Sequence, residues 1–214
     1  MIFRNKGKIM VINSGLGNIG SLVSALEFLE FDFDIKDSFN KGDKINCDGF
    51  ILPGVGSFPS GMEKIKNKNL HSLVYKLVEK GIPGMGICLG MQLLAEYGYE
   101  GGKETKGLHL FDGKVQILPK LKKVKIPNIG WRDTTLRKNE ESWQKHLNNV
   151  FYYVHSYFVK LSKKQEEIAT IKHGDSLDIN VAIYKNKLLG VQFHPEKSQK
   201  HGLELIRDYF KFHM

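Results

Sequence analysis

The chain has 214 residues, 41% of them hydrophobic and 26% charged, which suits a globular protein with one large core. No run of about 18 or more apolar residues exists, so no transmembrane helix is expected, and the N-terminal MIFRNKGKIMVIN lacks an export-signal layout, so the cytoplasm is the expected location. The net charge is +9, yet only four of the 32 basic residues are arginine and the lysines are scattered; a solvated lysine-rich surface or a face for an acidic protein partner is expected, not nucleic acid.

KIMVIN (8–13) reads as a short apolar strand and SGLGN (14–18) as a glycine-rich turn. IGSLVSALEFLE (19–30) places Leu22, Val23, Leu26 and Leu29 at helical spacing. FDFDI (31–35) alternates like a strand, and GFILPG (49–54) reads as a buried strand ending in Pro-Gly. NLHSLVYKLVEKG (69–81) is an amphipathic helix with a glycine stop, GMGIC (84–88) a short strand, and LGMQLLAEYG (89–98) a helix. This alternation predicts a parallel sheet covered by helices on both faces. Further on, GKVQIL, VFYYVHSYFV, EIATIKHG, NVAIYKN and LLGVQFHPE are strand-like, and KHGLELIRDYFKFH closes the chain as a helix. One α/β domain over 1–214 is expected, mainly parallel in its first half and strand-rich in its second.

Gly86-Ile87-Cys88-Leu89-Gly90 has the G-x-nucleophile-x-G form of a sharp strand-to-helix turn, in which glycines remove Cβ clashes and the helix N-terminus favours a thiolate. Alone, the pentapeptide fits a buried structural cysteine equally well. A thiolate nucleophile needs a base. GVQFHPEKS (190–198) offers one: in an extended segment Gln192, His194 and Glu196 share a side, so Glu196 can hold the His194 imidazole. Pro195 disfavours helix at His194. Oxyanion donors are expected from the Leu89 N–H and from PGVG (53–56), chiefly Val55. Both turns would lie at the C-terminal ends of parallel strands, where ligands gather in such folds.

Other signals are weak. Gly15, Gly17 and Gly20 form G-x-G-x-x-G after a strand, with Asp34 or Asp37 downstream, but a tight turn explains the glycines without a dinucleotide. No P-loop or Cys/His metal spacing occurs, so no metal and no cofactor are expected. Cys47 and Cys88 are expected to be free thiols.

Together, Cys88, His194, Glu196 and PGVG resemble the class I, triad-type glutamine amidotransferases. CLGMQLL (88–94), FHPEKS (193–198), GNIGSL (17–22), PNIGW (127–131) and YYVHSY (152–157) look like the branch that forms glutaminase subunits of imidazole glycerol phosphate synthase, in histidine biosynthesis. The resemblance implies Cys88 attacking glutamine, with His194 moving protons and Glu196 supporting it. It implies Gly54, Gly56, Gln92, His155, Ser156 and Tyr157 around the substrate, and ammonia passed to a cyclase subunit in a heterodimer. Asn18, Asn128 and Trp131 would lie at that partner interface. Two departures fall near the same face: Asn13-Ser14 where many members have Asp-Tyr, and Arg132 where Asn is more usual. Three alternatives follow: a paralogous glutaminase serving amidination of a surface sugar, a cysteine peptidase of similar fold, and a catalytically inactive binding module. Glu196 and Gln92 argue against the peptidase, and the complete triad argues against the inactive module.

Overall fold

The computed structural model describes residues 7–17, 19–122 and 124–214. In chain order the elements are β1 (Lys8–Ile12), α1 (Gly20–Phe28), β2 (Asp32–Lys36), β3 (Gly49–Gly54), α2 (Phe58–Asn67), α3 (Leu70–Glu79), β4 (Gly84–Cys88), α4 (Leu89–Leu93), β5 (Ala95–Gly98), β6 (Thr105–Lys106), β7 (Phe111–Ile117), β8 (Asn128–Leu136), β9 (Val150–His155), β10 (Tyr157–Leu161), β11 (Glu167–His173), β12 (Leu177–Lys185), β13 (Leu188–Val191) and α5 (Gln199–His213). Nine strands form one sheet in the order β2-β1-β3-β4-β13-β12-β11-β8-β9. The β2-to-β13 half is parallel and the remainder antiparallel. A four-stranded sheet, β10-β7-β5-β6, packs beside it.

The central strands are apolar on both faces because both are covered. Ile9 and Val11 of β1 join Leu22 and Leu26 of α1 and Leu205 and Phe210 of α5 in one core. Met10 and Ile12 point the other way, into a second core with Phe58 of α2, Leu73 of α3 and Phe111 and Val159 of the small sheet. On that second face β4 carries glycines because its neighbours leave no room. A Cβ at Gly84 would lie 2.2 Å from the Phe50 ring, and one at Gly86 would lie 2.9 Å from the Met91 backbone nitrogen.

Register positions the site. Gly54 of β3 pairs with Cys88 of β4, and Ile87 pairs with Val191 of β13. The turns after three adjacent parallel strands therefore meet at the C-terminal ends of those strands in the middle of the sheet.

Three segments differ from the sequence expectation. LGMQLLAEYG is helical only to Leu93; Ala95–Gly98 is a strand, because pairing with β7 and burial of Ala95 outweigh helix propensity. VFYYVHSYFV is two strands, broken at Ser156, whose halves belong to different sheets. LLGVQFHPE leaves the sheet after Val191 and ends in a 3-10 turn over Pro195–Lys197. Helix α2, which periodicity did not single out, starts directly after PGVG and carries Pro59 in its first turn. Among the described residues, no helix is long and apolar enough to cross a membrane.

Candidate active site

Cys88 ends β4 at φ 54°, ψ −111°, a backbone region that a residue with a Cβ rarely adopts. Such strain costs on the order of 1–3 kcal/mol and persists only where the surroundings impose it. They do so here. A Cβ at Gly90 would sit 1.8 Å from the Leu52 carbonyl oxygen, so α4 starts in direct backbone contact with β3. The elbow glycines are thus demanded by close approach, and Cys88 sits at the C-terminal end of the central strand β4 with 6% of its surface exposed.

His194 is delivered by a different device. Phe193 stacks on Phe151 at 3.9 Å and is fully buried. The His194 N–H donates to the Tyr152 carbonyl at 3.0 Å, and the Ser198 hydroxyl donates to the His194 carbonyl at 2.6 Å. Pro195 then opens the 3-10 turn, which brings Glu196 Oε1 to 2.8 Å from His194 Nδ1. The expected contact is present, but through a turn and not through strand alternation. Burial alone would push the imidazole down; the adjacent Cys88 and Glu196 outweigh it and hold His194 raised to about 10. With Nδ1 committed to Glu196, Nε2 is buried without a hydrogen-bond partner among the described residues, which leaves it for the thiol.

Beside the sulfur lies a cavity of about 270 Å³ lined by Val55, Gly56, Cys88, Leu89, Gln92, Glu100, Pro127, Val154, His155, Ser156 and Tyr157. Of the expected substrate residues, Gly56, Gln92, His155, Ser156 and Tyr157 are in its wall, as are Val55 and Leu89. Gly54 is not; a Cβ there would meet Leu89 Cβ at 3.2 Å, so its role is to admit α4. Gln92 Nε2 donates to the Tyr157 carbonyl at 3.1 Å and to Gln192 Oε1 at 3.0 Å, which leaves its own oxygen available. Gln192 Nε2 faces Cys88 Sγ at 3.7 Å.

Glu100 was not apparent from sequence, because it lies just past the expected helix (89–98) in a stretch without a motif. It is the only carboxylate in the cavity wall among the described residues, and its Oε2 accepts from the Phe58 N–H at 2.6 Å. No local spacing signals it. Gly17 of the G-x-G-x-x-G stretch is explained by packing: a Cβ there would lie 2.5 Å from Val55 Cγ2. The turn it belongs to abuts the oxyanion candidate.

The expected interface residues separate. Trp131 is exposed and meets Tyr152 edge-on at 5.9 Å, beside exposed Ile129 and Val154. Asn128 is buried and hydrogen-bonds inward, so its side chain takes no part in that apolar face. Asn18 lies outside the described residues. Cys47 is remote in role as well as position; burial pushes its thiol up to about 11. No group of three or more His, Cys, Asp or Glu placed to hold a metal occurs among the described residues.

Residues 10–212 match the family model for class-I glutamine amidotransferases. Imidazole glycerol phosphate synthase subunit HisH of Caldanaerobacter subterraneus subsp. tengcongensis is 38% identical over 202 residues, covering 94% of this chain and 96% of that one. The subunit HisH of Moorella thermoacetica is 36% identical, covering 94% and 93%. The subunit HisH 2 of Vibrio vulnificus is 37% identical, again over 94% and 93%. Among solved structures, PurLQS from Thermotoga maritima superimposes with a TM-score of 0.72 at 16% identity, covering 96% of this chain and 98% of that one. A glutamine amidotransferase from the same organism gives 0.65 at 17% identity, covering 94% and 81%. These last two likenesses concern the fold.

Proposed function

This chain belongs to the class I glutamine amidotransferases, and we propose that it is the glutaminase subunit of an imidazole glycerol phosphate synthase, releasing ammonia from glutamine for a cyclase partner in histidine biosynthesis. The observation that carries the reading is Cys88 held at φ 54° on a glycine-framed elbow, acting on an imidazole whose other nitrogen is fixed 2.8 Å from Glu196.

The chemistry follows from that arrangement. His194 Nε2 takes the Cys88 proton, and the sulfur attacks the side-chain carboxamide carbon of glutamine. The Leu89 and Val55 N–H groups, on turns that line the cavity, are our candidate donors to the developing oxyanion. His194 returns the proton to the leaving nitrogen, and the C–N bond breaks to release ammonia. Water, deprotonated by the same imidazole, then cleaves the thioester to glutamate and restores the thiol. Glu196 orients the ring and stabilises its cation without taking the proton. In the cavity, Glu100 is placed for the substrate α-ammonium group. The Gln92 oxygen and the Ser156-Tyr157 backbone supply the remaining polar contacts.

The face bearing Ile129, Trp131 and Val154 is our candidate for the cyclase contact, since apolar side chains clustered on one exposed strand pair mark interaction surfaces. The matched relatives are named as subunits, which supports a partner. As a biosynthetic subunit the chain would act in the cytoplasm.

One relative is numbered as a second HisH, which supports a second reading in which a surface-sugar intermediate receives the ammonia. A single experiment separates the two. The chain is mixed with a histidine-pathway cyclase and its ribulosyl-formimino nucleotide, with glutamine or ammonium salt as nitrogen source. The first reading requires glutamine-dependent product with the native chain and only ammonium-dependent product with Cys88→Ala. Glutamine hydrolysis that this cyclase never couples to product would refute it in favour of the second.

A further inference from the structure

Arg132 is outside the cavity wall, yet it heads a run of hydrogen bonds that enters it. Its Nε donates to Asn128 Oδ1 at 2.9 Å. Asn128 Nδ2 lies 2.9 Å from His155 Nε2, and His155 Nδ1 lies 2.9 Å from the Tyr157 carbonyl oxygen. Strand pairing sets this up: Asn128 stands directly opposite His155 across β8 and β9. Gly130, between Asn128 and Arg132, adopts φ 118°, a backbone conformation that favours glycine.

The chemistry of the groups dictates the direction of every bond. A guanidinium only donates, so Asn128 must offer it oxygen and turn its NH₂ toward His155. A backbone carbonyl only accepts, so His155 carries its proton on Nδ1 and accepts at Nε2. The ring is therefore neutral. Were the guanidinium absent, the Asn128 carboxamide could turn over. Its oxygen would then face Nε2 and favour a doubly protonated ring. Burial is the main force holding the His155 imidazole down, to about 4, against the hydrogen bond to the Tyr157 carbonyl, which favours the protonated ring, and the neighbouring His173, His194 and Arg132 add to the lowering. Asn128 and His155 are each 6% exposed, so an unmatched orientation is expensive.

We propose that Arg132 sets the charge of the glutamine cavity: by locking the Asn128 carboxamide it keeps His155 in the neutral Nδ1–H form, so that the wall does not repel the substrate's ammonium group. The proposal rests on glutamine as the cavity's ligand, and the test keeps the two apart. Arg132→Met retains the aliphatic stem and removes the donors, Arg132→Lys restores a donor, and Lys172→Ala removes a neighbouring cation outside the run. Ring ¹⁵N shifts of His155 are followed from pH 5 to 8 in the full chain. Glutamine affinity is measured at both limits on a Cys88→Ala background, where no turnover intervenes. We expect the native chain, Arg132→Lys and Lys172→Ala to keep the Nδ1–H pattern throughout. Arg132→Met should titrate within the range and bind glutamine at least threefold more weakly at pH 5 than at pH 8, relative to native. A neutral His155 at pH 5 in Arg132→Met, or the same titration in Lys172→Ala, overturns the proposal. Titration of His155 with an unaltered glutamine profile upholds the lock and counts against glutamine as the ligand.

Discussion

His194 Nδ1 lies 2.8 Å from Glu196 Oε1 across a single 3-10 turn opened by Pro195, and both side chains are almost fully buried. The pair is rigid because the turn is packed from behind: a Cβ at Gly202 of α5 would come 1.9 Å from the Pro195 carbonyl oxygen. Glu196→Gln keeps the shape but replaces an acceptor with a group that can donate to Nδ1, which stabilises the wrong tautomer. Glutamine turnover by the complex should fall by about 10²–10⁴ in kcat with KM little changed. A loss carried by KM alone would show that Glu196 serves binding.

The two thiols should differ sharply toward electrophilic glutamine analogues. Cys88 lines the cavity, whereas Cys47 is outside it with its thiol pushed up to about 11 by burial, leaving little thiolate at neutral pH. Peptide mapping after treatment with a diazo analogue should find the label on Cys88. Recovery mainly on Cys47 would remove Cys88 from the mechanism.

Glu100 is the test of how the cavity reads its ligand. Glu100→Gln should raise the glutamine KM about tenfold with kcat within a few-fold of native, the cost of about one charge-assisted hydrogen bond. Because Oε2 also accepts from the Phe58 N–H, Tm is measured in parallel. A drop in Tm with unchanged KM would assign Glu100 to holding the start of α2.

Trp131 is 45% exposed and buttressed edge-on by Tyr152. If it anchors the cyclase, Trp131→Ala should weaken association by roughly 2 kcal/mol, about 30-fold in Kd, while the isolated chain melts as before. Titration calorimetry with the partner decides it, and an unchanged Kd would move the interface elsewhere.

Acid stability should report the His155 environment. Its folded value is lowered to about 4 from an ordinary 6.5, so between these limits the unfolded chain binds the extra proton. Stability from this group is complete above about pH 6.5 and is lost as pH falls through 4, on the order of 3 kcal/mol in all. Urea denaturation at pH 7 and pH 4.5 should show the loss in the native chain and a smaller one in His155→Gln. Equal slopes would mean other groups govern the acid limb.

The elbow and the His194–Glu196 pair were legible in the sequence because their constraints are local. Gly86, Cys88 and Gly90 lie within one turn, and His194 and Glu196 are two residues apart. The two-sided burial of β1 and β3 was equally plain as unbroken apolar runs. What the sequence could not convey is where strands end and which sheet receives them. The break at Ser156 and the strand at Ala95–Gly98 depend on pairing with β7, which competes with local propensity only once the chain is folded. The same holds for Glu100 and for the Arg132–Asn128–His155 run. Gln192 reaches Cys88 from 104 positions away, and Asn128 reaches His155 from 27. Such contacts are set by strand register and burial, which bring distant residues together, and no spacing along the chain encodes them.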